Sequence, residues 1–303
     1  MTLSPLRYLP AAVVPETVVC CLGLVSDTHM PERCADLPAA LFTVLEGVDL
    51  VLHAGDVGEL WVLDRLSTIA PVVAVHGNDD SDDAQRELPY RQTIVISGHR
   101  LLLCHGHYPD HAREMASRRD DSWAPKLDRR AALGQSAGAT TVVFGHTHIP
   151  MSVYHQAVLL VNPGALASAN PVGRQRLKTV ALLFVRVDGA PVVVHVDLDA
   201  PDQSFTPRIA WDAGYKAALD TVNAPILSPA LQADWERLAP RIRALSPEQR
   251  RSLLLPLAHR CWNDEREVIT HADVLAALHA NTSIPDTTRA ELAAVLSQGY
   301  SRR

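Results

Sequence analysis

The sequence predicts an α/β fold of four layers, two packed sheets with helices on both outer faces, followed by a helical extension. Three observations carry this expectation. Residues 17–200 alternate short, β-branched apolar runs with helical stretches, the pattern of a layered α/β domain. Toward residue 200 the alternation turns into hairpins. Beyond it, proline becomes frequent (Pro201, Pro207, Pro225, Pro229) and helical spacing takes over. The expected divisions are an N-terminal segment over 1–16, the α/β domain over 17–200, and a proline-punctuated helical extension over 201–303.

The expected strands are Val18–Val25, Asp49–His53, Val72–His76, Thr93–Ile96, Arg100–Cys104, Thr140–Phe144, Val158–Val161, Thr179–Val187 and Pro191–Leu198. Ser97-Gly98-His99 reads as a hairpin turn, and Asp188-Gly189 as one that tolerates the positive φ angles of a type I′ turn. Helices are expected over Pro38–Leu45, Glu59–Ser67, Asp110–Arg118 and Lys126–Ser136. In the extension, Ser228-Pro229 and Ser246-Pro247 each place a capping serine before a first-turn proline. Pro256 should break or kink the Leu253–Leu257 segment.

Composition narrows the function classes. With 303 residues, 47% hydrophobic and 20% charged, the chain can bury a core without staples. Disordered, collagen-like and disulfide-scaffold classes are excluded. No apolar run reaches the length of a membrane span, and the first sixteen residues do not read as a signal peptide. The five cysteines form no CxxC pair, so a reducing, cytoplasmic setting is expected. Net charge is −6, and residues 201–303 carry 12 basic and 12 acidic side chains. The acidic surplus therefore lies wholly in the α/β part. That argues against long nucleic acid as a partner, and carboxylates interspersed with histidines suggest metal cations instead.

Five polar clusters each follow an apolar strand: Asp27-Thr28-His29, Gly55-Asp56, Gly77-Asn78-Asp79-Asp80, His105-Gly106-His107 and Gly145-His146-Thr147-His148. Side chains two apart in extended backbone point the same way, so Asp27 with His29, and His146 with His148, can converge. The ends of parallel strands are where α/β folds place ligands. Each cluster alone is weak; their joint occurrence in this order is not.

The series resembles the calcineurin-like metallophosphoesterase family, whose pattern is DxH, GDxx, GNx(D/E), H and GHxH. It is most similar to the small bacterial and archaeal phosphodiesterase branch that also contains the retromer subunit Vps29. The stretch from Asp27 to Pro38, His105-Gly106-His107 and Asn162-Pro163-Gly164 carry that likeness, which covers about residues 18–198. The resemblance implies a metallophosphoesterase sandwich holding two divalent ions: Asp27, His29 and His148 on the first, Asn78, His105 and His146 on the second, Asp56 bridging. It further implies a hydroxide between the ions as nucleophile and a small phosphate ester as substrate. Mixed carboxylate and imidazole ligands suit Mn²⁺ foremost, with Fe, Zn²⁺ or Ni²⁺ as alternatives. His107 and Asn78 are the expected substrate contacts. Many family members carry a histidine after GN as general acid; here Asp79 stands there, followed by Asp80. Asp79 and His107 are thus the catalytic candidates, and the missing histidine favours phosphodiesters over phosphomonoesters.

Other histidines have plainer readings. His53 and His76 end buried strands and are expected to hydrogen-bond backbone or to orient a ligand. Segment 108–137 is a mixed face of six basic and five acidic residues, expected to be solvated, although one or two of its arginines could hold a substrate phosphate. The rival functions are a non-catalytic scaffold of the Vps29 type and a phosphomonoesterase or protein phosphatase. A homo-oligomer is left open.

Overall fold

The computed structural model describes residues 5–300. Residues 1–4 of the expected N-terminal segment and 301–303 of the expected extension lie outside the described residues. The chain divides into two compact units, Met1–Ala169 with Gln175–Asn223, and Asn170–Arg174 with Ala224–Arg303.

In the first unit, β1 (Val18–Val25), α1 (Ala39–Leu45), β2 (Leu50–His53), α2 (Trp61–Ser67) and β3 (Val72–Ala74) make a parallel βαβαβ run. After α3 (Asp82–Glu87), β4 (Arg91–Ile96) and β5 (His99–Cys104) form a hairpin. Helices α4 (His111–Arg119) and α5 (Ala124–Ser136) lead to β6 (Thr141–Val143), β7 (Met151–His155) and β8 (Val158–Asn162). A short β9 (Gly173–Gln175), whose first two residues belong to the second unit, precedes β10 (Thr179–Arg186), β11 (Val192–Asp197), β12 (Ser204–Phe205) and α6 (Tyr215–Val222). The strand orders are β12-β11-β10-β1-β2-β3 and β4-β5-β6-β8-β7, with β9 paired to β13 (Asn223–Pro225) in a separate ladder.

Strands buried on both faces read as continuous apolar runs, and alternation along them sorts side chains to the two faces. Leu22, Leu24 and Leu52 of one sheet meet Leu101, Leu103, Val143 and Val161 of the other. On the outer face of the first sheet, Val51, Val180, Leu182 and Phe184 pack on Leu41, Val44, Leu45, Val62 and Leu66 of α1 and α2. On the outer face of the second, Leu102, Cys104, Val142, Phe144 and Leu160 pack on Leu127 and Ala131 of α5 and on Ala218 and Val222 of α6. The four layers follow from these three apolar interfaces, each fully buried leucine contributing roughly 1.5–3 kcal/mol. The predicted strands sit within one or two residues of the observed ones.

Three local expectations are corrected. Asp188 and Gly189 join β10 to β11, but neither has positive φ; that conformation belongs to Ser97 (φ 49°) and Gly98 (φ 84°). The β10–β11 connection spans five residues and does not need a tight two-residue turn. Pro256 does not break its helix: α8 (Pro247–Trp262) runs through it, with Leu253, Leu257, Ala258 and Cys261 all buried along its inner face. Segment 108–137 is not wholly solvated, because Glu114, Lys126 and Arg130 are buried.

The second unit is helical: α7 (Pro229–Ala244), α8, α9 (His271–Ala280) and α10 (Asp286–Tyr300). Ser228 caps α7 by accepting from the Leu231 amide, and Ser246 with Gln249 forms a capping box on α8. Leu231, Leu238, Ile242, Leu253, Leu278 and Leu296 belong to its own apolar core. Segment 201–223 belongs to the first unit, whereas the sequence reading places it in the extension. None of the helices among the described residues is long and apolar enough to cross a membrane.

Candidate metal centre

Every polar cluster picked out in the sequence leaves the C-terminal end of a parallel strand, β1, β2, β3, β5 or β6. The turns are sharp. Asp27, His29, Asp56, His146 and His148 all have left-handed backbone, with φ between 45° and 70°. Non-glycine residues adopt that region rarely, and such strain collects at functional sites. Two glycines make the crowding possible. A Cβ on Gly77 would lie 2.0 Å from Asp56 Oδ1, and one on Gly145 would lie 1.9 Å from Ser26 Oγ.

These turns bring the ligand candidates together. Asp27, His29 and His148 offer atoms within 4.8 Å of one another, as do Asp27, Asp56 and His105, and also His29, Asp56 and Asp79. Asp27 Oδ1 is 3.1 Å from His148 Nε2. Asp56 Oδ2 lies 3.1 Å from His105 Nε2 and 3.7 Å from His29 Nε2, between the two groups. His146 belongs to none of the triads; its Nδ1 faces His105 Nε2 at 3.3 Å. Asn78 donates from Nδ2 to Asp79 Oδ1 at 2.9 Å, and its buried Oδ1 has no partner.

The donor set fits a cation. His105 Nδ1 is 2.8 Å from Ala54 O, so that nitrogen donates and Nε2 is left to face Asp56 and His146. His146 Nε2 is 2.7 Å from Glu114 Oε1, so its Nδ1 keeps its lone pair. The two nitrogens face each other across 3.3 Å, an arrangement that a single proton between them or a metal ion satisfies. A second pair repeats it, His29 Nε2 and His148 Nε2 at 3.4 Å. The electrostatics agree. Burial alone would depress His105, but the Asp56 and Asp27 carboxylates outweigh it and push its imidazole up to about 10. Burial raises Asp56, yet the facing His105 and His29 hold it well below the usual carboxylate range. Positive charge is thus held where a divalent cation would sit.

The catalytic candidates are placed differently from one another. Asp79 accepts from Arg33 Nη2 at 2.9 Å, and its backbone N–H donates to Asp56 Oδ1 at 2.8 Å. Burial and Asp56 push its carboxyl upward, but Arg33 outweighs them and the net shift is downward. His107 is 6% exposed, its Nδ1 has no partner, and burial with the nearby His105 lowers its pKa to about 3. Its ring stands edge-on to Tyr90 at 5.0 Å.

The sequence reading missed two residues here. Arg33 pairs with Asp79 and also donates to Ser168 O and Ala169 O. Glu114 is buried, and its carboxylate accepts from His146, Arg118 and the Tyr108 amide. A helix spacing of Glu114 to Arg118 reads as a surface ion pair, so nothing in the pattern marked it. Asp80 accepts from the Gly58 and Gly77 amides, both at 2.6 Å, and staples the two loops together. His53 is buried between Thr28 Oγ1 and the Gly55 amide, and His76 Nδ1 meets Gly77 O at 3.0 Å.

Residues 21–187 match the calcineurin-like phosphoesterase superfamily domain. A protein of Methanothermobacter thermautotrophicus named "Probable metallophosphoesterase" is 33% identical over 169 residues, 55% of this chain and 86% of that one. "Phosphodiesterase YfcE" of Escherichia coli K12 is 26% identical over 147 residues, 46% of this chain and 70% of that one. Among solved structures, Vps29 of Cryptosporidium parvum superposes with a TM-score of 0.47 at 20% identity, over 59% of this chain and 91% of that one.

Proposed function

The chain belongs to the calcineurin-like phosphoesterase superfamily, and from that premise we propose that it is a phosphodiesterase working with two divalent ions, Mn²⁺ foremost. Asp27, His29 and His148 would hold the first ion, and Asn78, His105 and His146 the second. Asp56 would serve both, in keeping with its place between His105 and His29. The observation that carries this reading is the pair of imidazole nitrogens of His105 and His146 facing each other at 3.3 Å, with their other nitrogens already engaged by Ala54 O and Glu114. When bound, divalent ions supply Lewis acidity to a phosphoryl oxygen and lower the pKa of an attacking water.

The rest of the work falls to the chain. The buried Oδ1 of Asn78, without a hydrogen-bond partner, would add a neutral oxygen donor to the second set. His107, neutral and with an unpartnered Nδ1, would hydrogen-bond a phosphoryl oxygen. Asp79, held ionised by Arg33, is a poor proton donor. That supports diesters with good leaving groups over monoesters of simple alcohols. Buried thiols at Cys21 and Cys104 suit a reducing cytoplasm.

Hydrolysis of bis-p-nitrophenyl phosphate tests the reading. Activity should vanish on chelation and return with Mn²⁺, and metal analysis should find two ions per chain. A protein that binds no divalent ion under these conditions overturns it.

A further inference from the structure

We propose that a cationic cavity beside His146 is a second anion subsite, which takes a phosphate group that the substrate carries in addition to the reacting ester. The proposal rests on the phosphoesterase reading of the centre and deepens it to a substrate class, bisphosphorylated small molecules.

The cavity lies between the loop after β5 and the helices α4, α5 and α6 and opens to solvent; its enclosed part is small, about 20 Å³. His146 and Gly106 form the wall toward the candidate metal centre. Arg118, Lys126, Arg129 and Arg130 bring four positive charges to its lining, against the single carboxylate of Glu114. That carboxylate is already committed to His146, Arg118 and the Tyr108 amide.

Two of the cations are fixed in place. Arg129 donates to Gly106 O at 2.6 Å and His107 O at 2.7 Å, which ties the cavity to the loop carrying His105 and His107. Lys126 donates to Ser117 O and Asp120 O and lies over the Tyr215 ring. They contribute charge more than free donors.

Arg130 is different. It is 4% exposed, stacks on the Phe144 ring at 4.4 Å, and donates from Nη1 to Lys126 O. Its Nε has no acceptor. A Cβ on Gly106 would stand 3.4 Å from its Nη2, so the guanidinium borders the ligand-bearing loop. Burial, with Arg129 beside it, lowers its pKa to about 10. A buried guanidinium with an empty donor and a surplus of like charge is costly by itself. A phosphate satisfies donor and charge together, because its oxygens suit a guanidinium fork. A ligand filling this cavity while its ester group sits among the candidate metal ligands needs two phosphates, one on each side of His146.

Two measurements on the full-length chain test the proposal. The first uses chelated, metal-free protein and inorganic phosphate alone, followed by calorimetry. Wild type should bind one phosphate. Arg130→Met should weaken that binding by at least about tenfold, and Arg118→Gln severalfold. Arg118 is 46% exposed, so its variant keeps the test valid if Arg130→Met fails to fold. No phosphate binding by wild type, or equal binding by wild type and Arg118→Gln, overturns the subsite.

The second compares the p-nitrophenyl ester of thymidine 5′-phosphate with the same ester bearing an added 3′-phosphate. Wild type should show a KM at least about tenfold lower for the second, and the ratio should shrink toward one in the two variants. If neither ester is hydrolysed while phosphate still binds the chelated protein, the phosphodiesterase reading falls and the subsite stands. If both are hydrolysed with equal KM, the cavity does not serve the substrate and the proposal fails.

Discussion

Glu114 Oε1 stands 2.7 Å from His146 Nε2, on the side of the imidazole opposite the nitrogen that faces His105. The contact fixes which nitrogen carries the proton and leaves Nδ1 as the donor. A carboxylate behind a metal-binding histidine orients the ring and raises its basicity. Glu114→Gln keeps the size of the side chain but can present its amide N–H to Nε2, which favours the wrong tautomer. We expect affinity for the second divalent ion to fall by about 10–100-fold, with the first ion retained. Calorimetric titration with Mn²⁺ reads both sites separately; two unchanged sites would refute the positioning role.

Asp56 and His29 should differ in kind. Asp56 lies between His105 and His29, so Asp56→Asn is expected to weaken both ions and to reduce diester hydrolysis by more than about 100-fold. His29→Ala should chiefly weaken the ion assigned to Asp27 and His148. Metal content per chain, measured at limiting Mn²⁺, separates the two outcomes.

The ion pair of Asp79 with Arg33 bears on the leaving group. General acid catalysis is typically worth 10²–10⁴-fold, and an aspartate held ionised cannot supply it. Rates across a series of aryl and alkyl diesters should therefore fall steeply as leaving-group pKa rises. Asp79→His should flatten the slope. A nearly flat line in the wild type, with chemistry rate-limiting, would point to another acid, and His107 would be the residue to substitute next.

His195 gives a stability prediction away from the centre. It is buried in β11 with Nε2 2.9 Å from Asn162 O, and burial lowers its pKa to about 4. Its unfolded value is near 6.5. The unfolded chain therefore binds the extra proton first as pH falls, and the stability owed to neutral His195 is complete above about pH 6.5 and lost by about pH 4. A difference of this size corresponds to about 3 kcal/mol. Urea midpoints of wild type should drop across that window more steeply than those of His195→Gln. Parallel curves would show that His195 does not titrate as described.

Truncation discriminates between the two possible ends of the α/β part. Ala218 and Val222 of α6 share a core with Trp123 and Leu127. A chain ending at residue 223 should be soluble and retain Mn²⁺ binding, whereas one ending at residue 200 exposes that core and should lose several degrees in Tm. Equal melting temperatures would place α6 outside the stability of the domain.

How much of this was legible in the sequence depends on the kind of signal. β1, β2, β5, β8 and β10 carry apolar runs largely buried on both faces, and Leu22, Leu24 and Val51 could be read without a structure. β7 could not: Ser152 and Tyr154 face solvent on an edge strand, which leaves only partial alternation to see. The ligand clusters were legible because polar residues interrupt apolar strands at a fixed offset. Arg33 and Glu114 were not, since each reaches its partner across a distance no local pattern records, 46 residues to Asp79 and 32 to His146. Arg130 looked like one charge among many on a helix; only packing against Phe144 shows it to be inside.

The candidate ligands come from both sheets, and pairs such as His29 with His148 lie 119 residues apart in the chain. No folding intermediate holding only one sheet can present the whole set. Ions that bind the finished centre alone would stabilise the native state by about 2.7 kcal/mol at a hundred times their dissociation constant. That gain would be absent from any transition state in which the sheets have yet to dock. It would appear in the unfolding rate and leave the folding rate nearly unchanged, so that such ions would act on this chain as a late latch against opening and do nothing to guide its collapse.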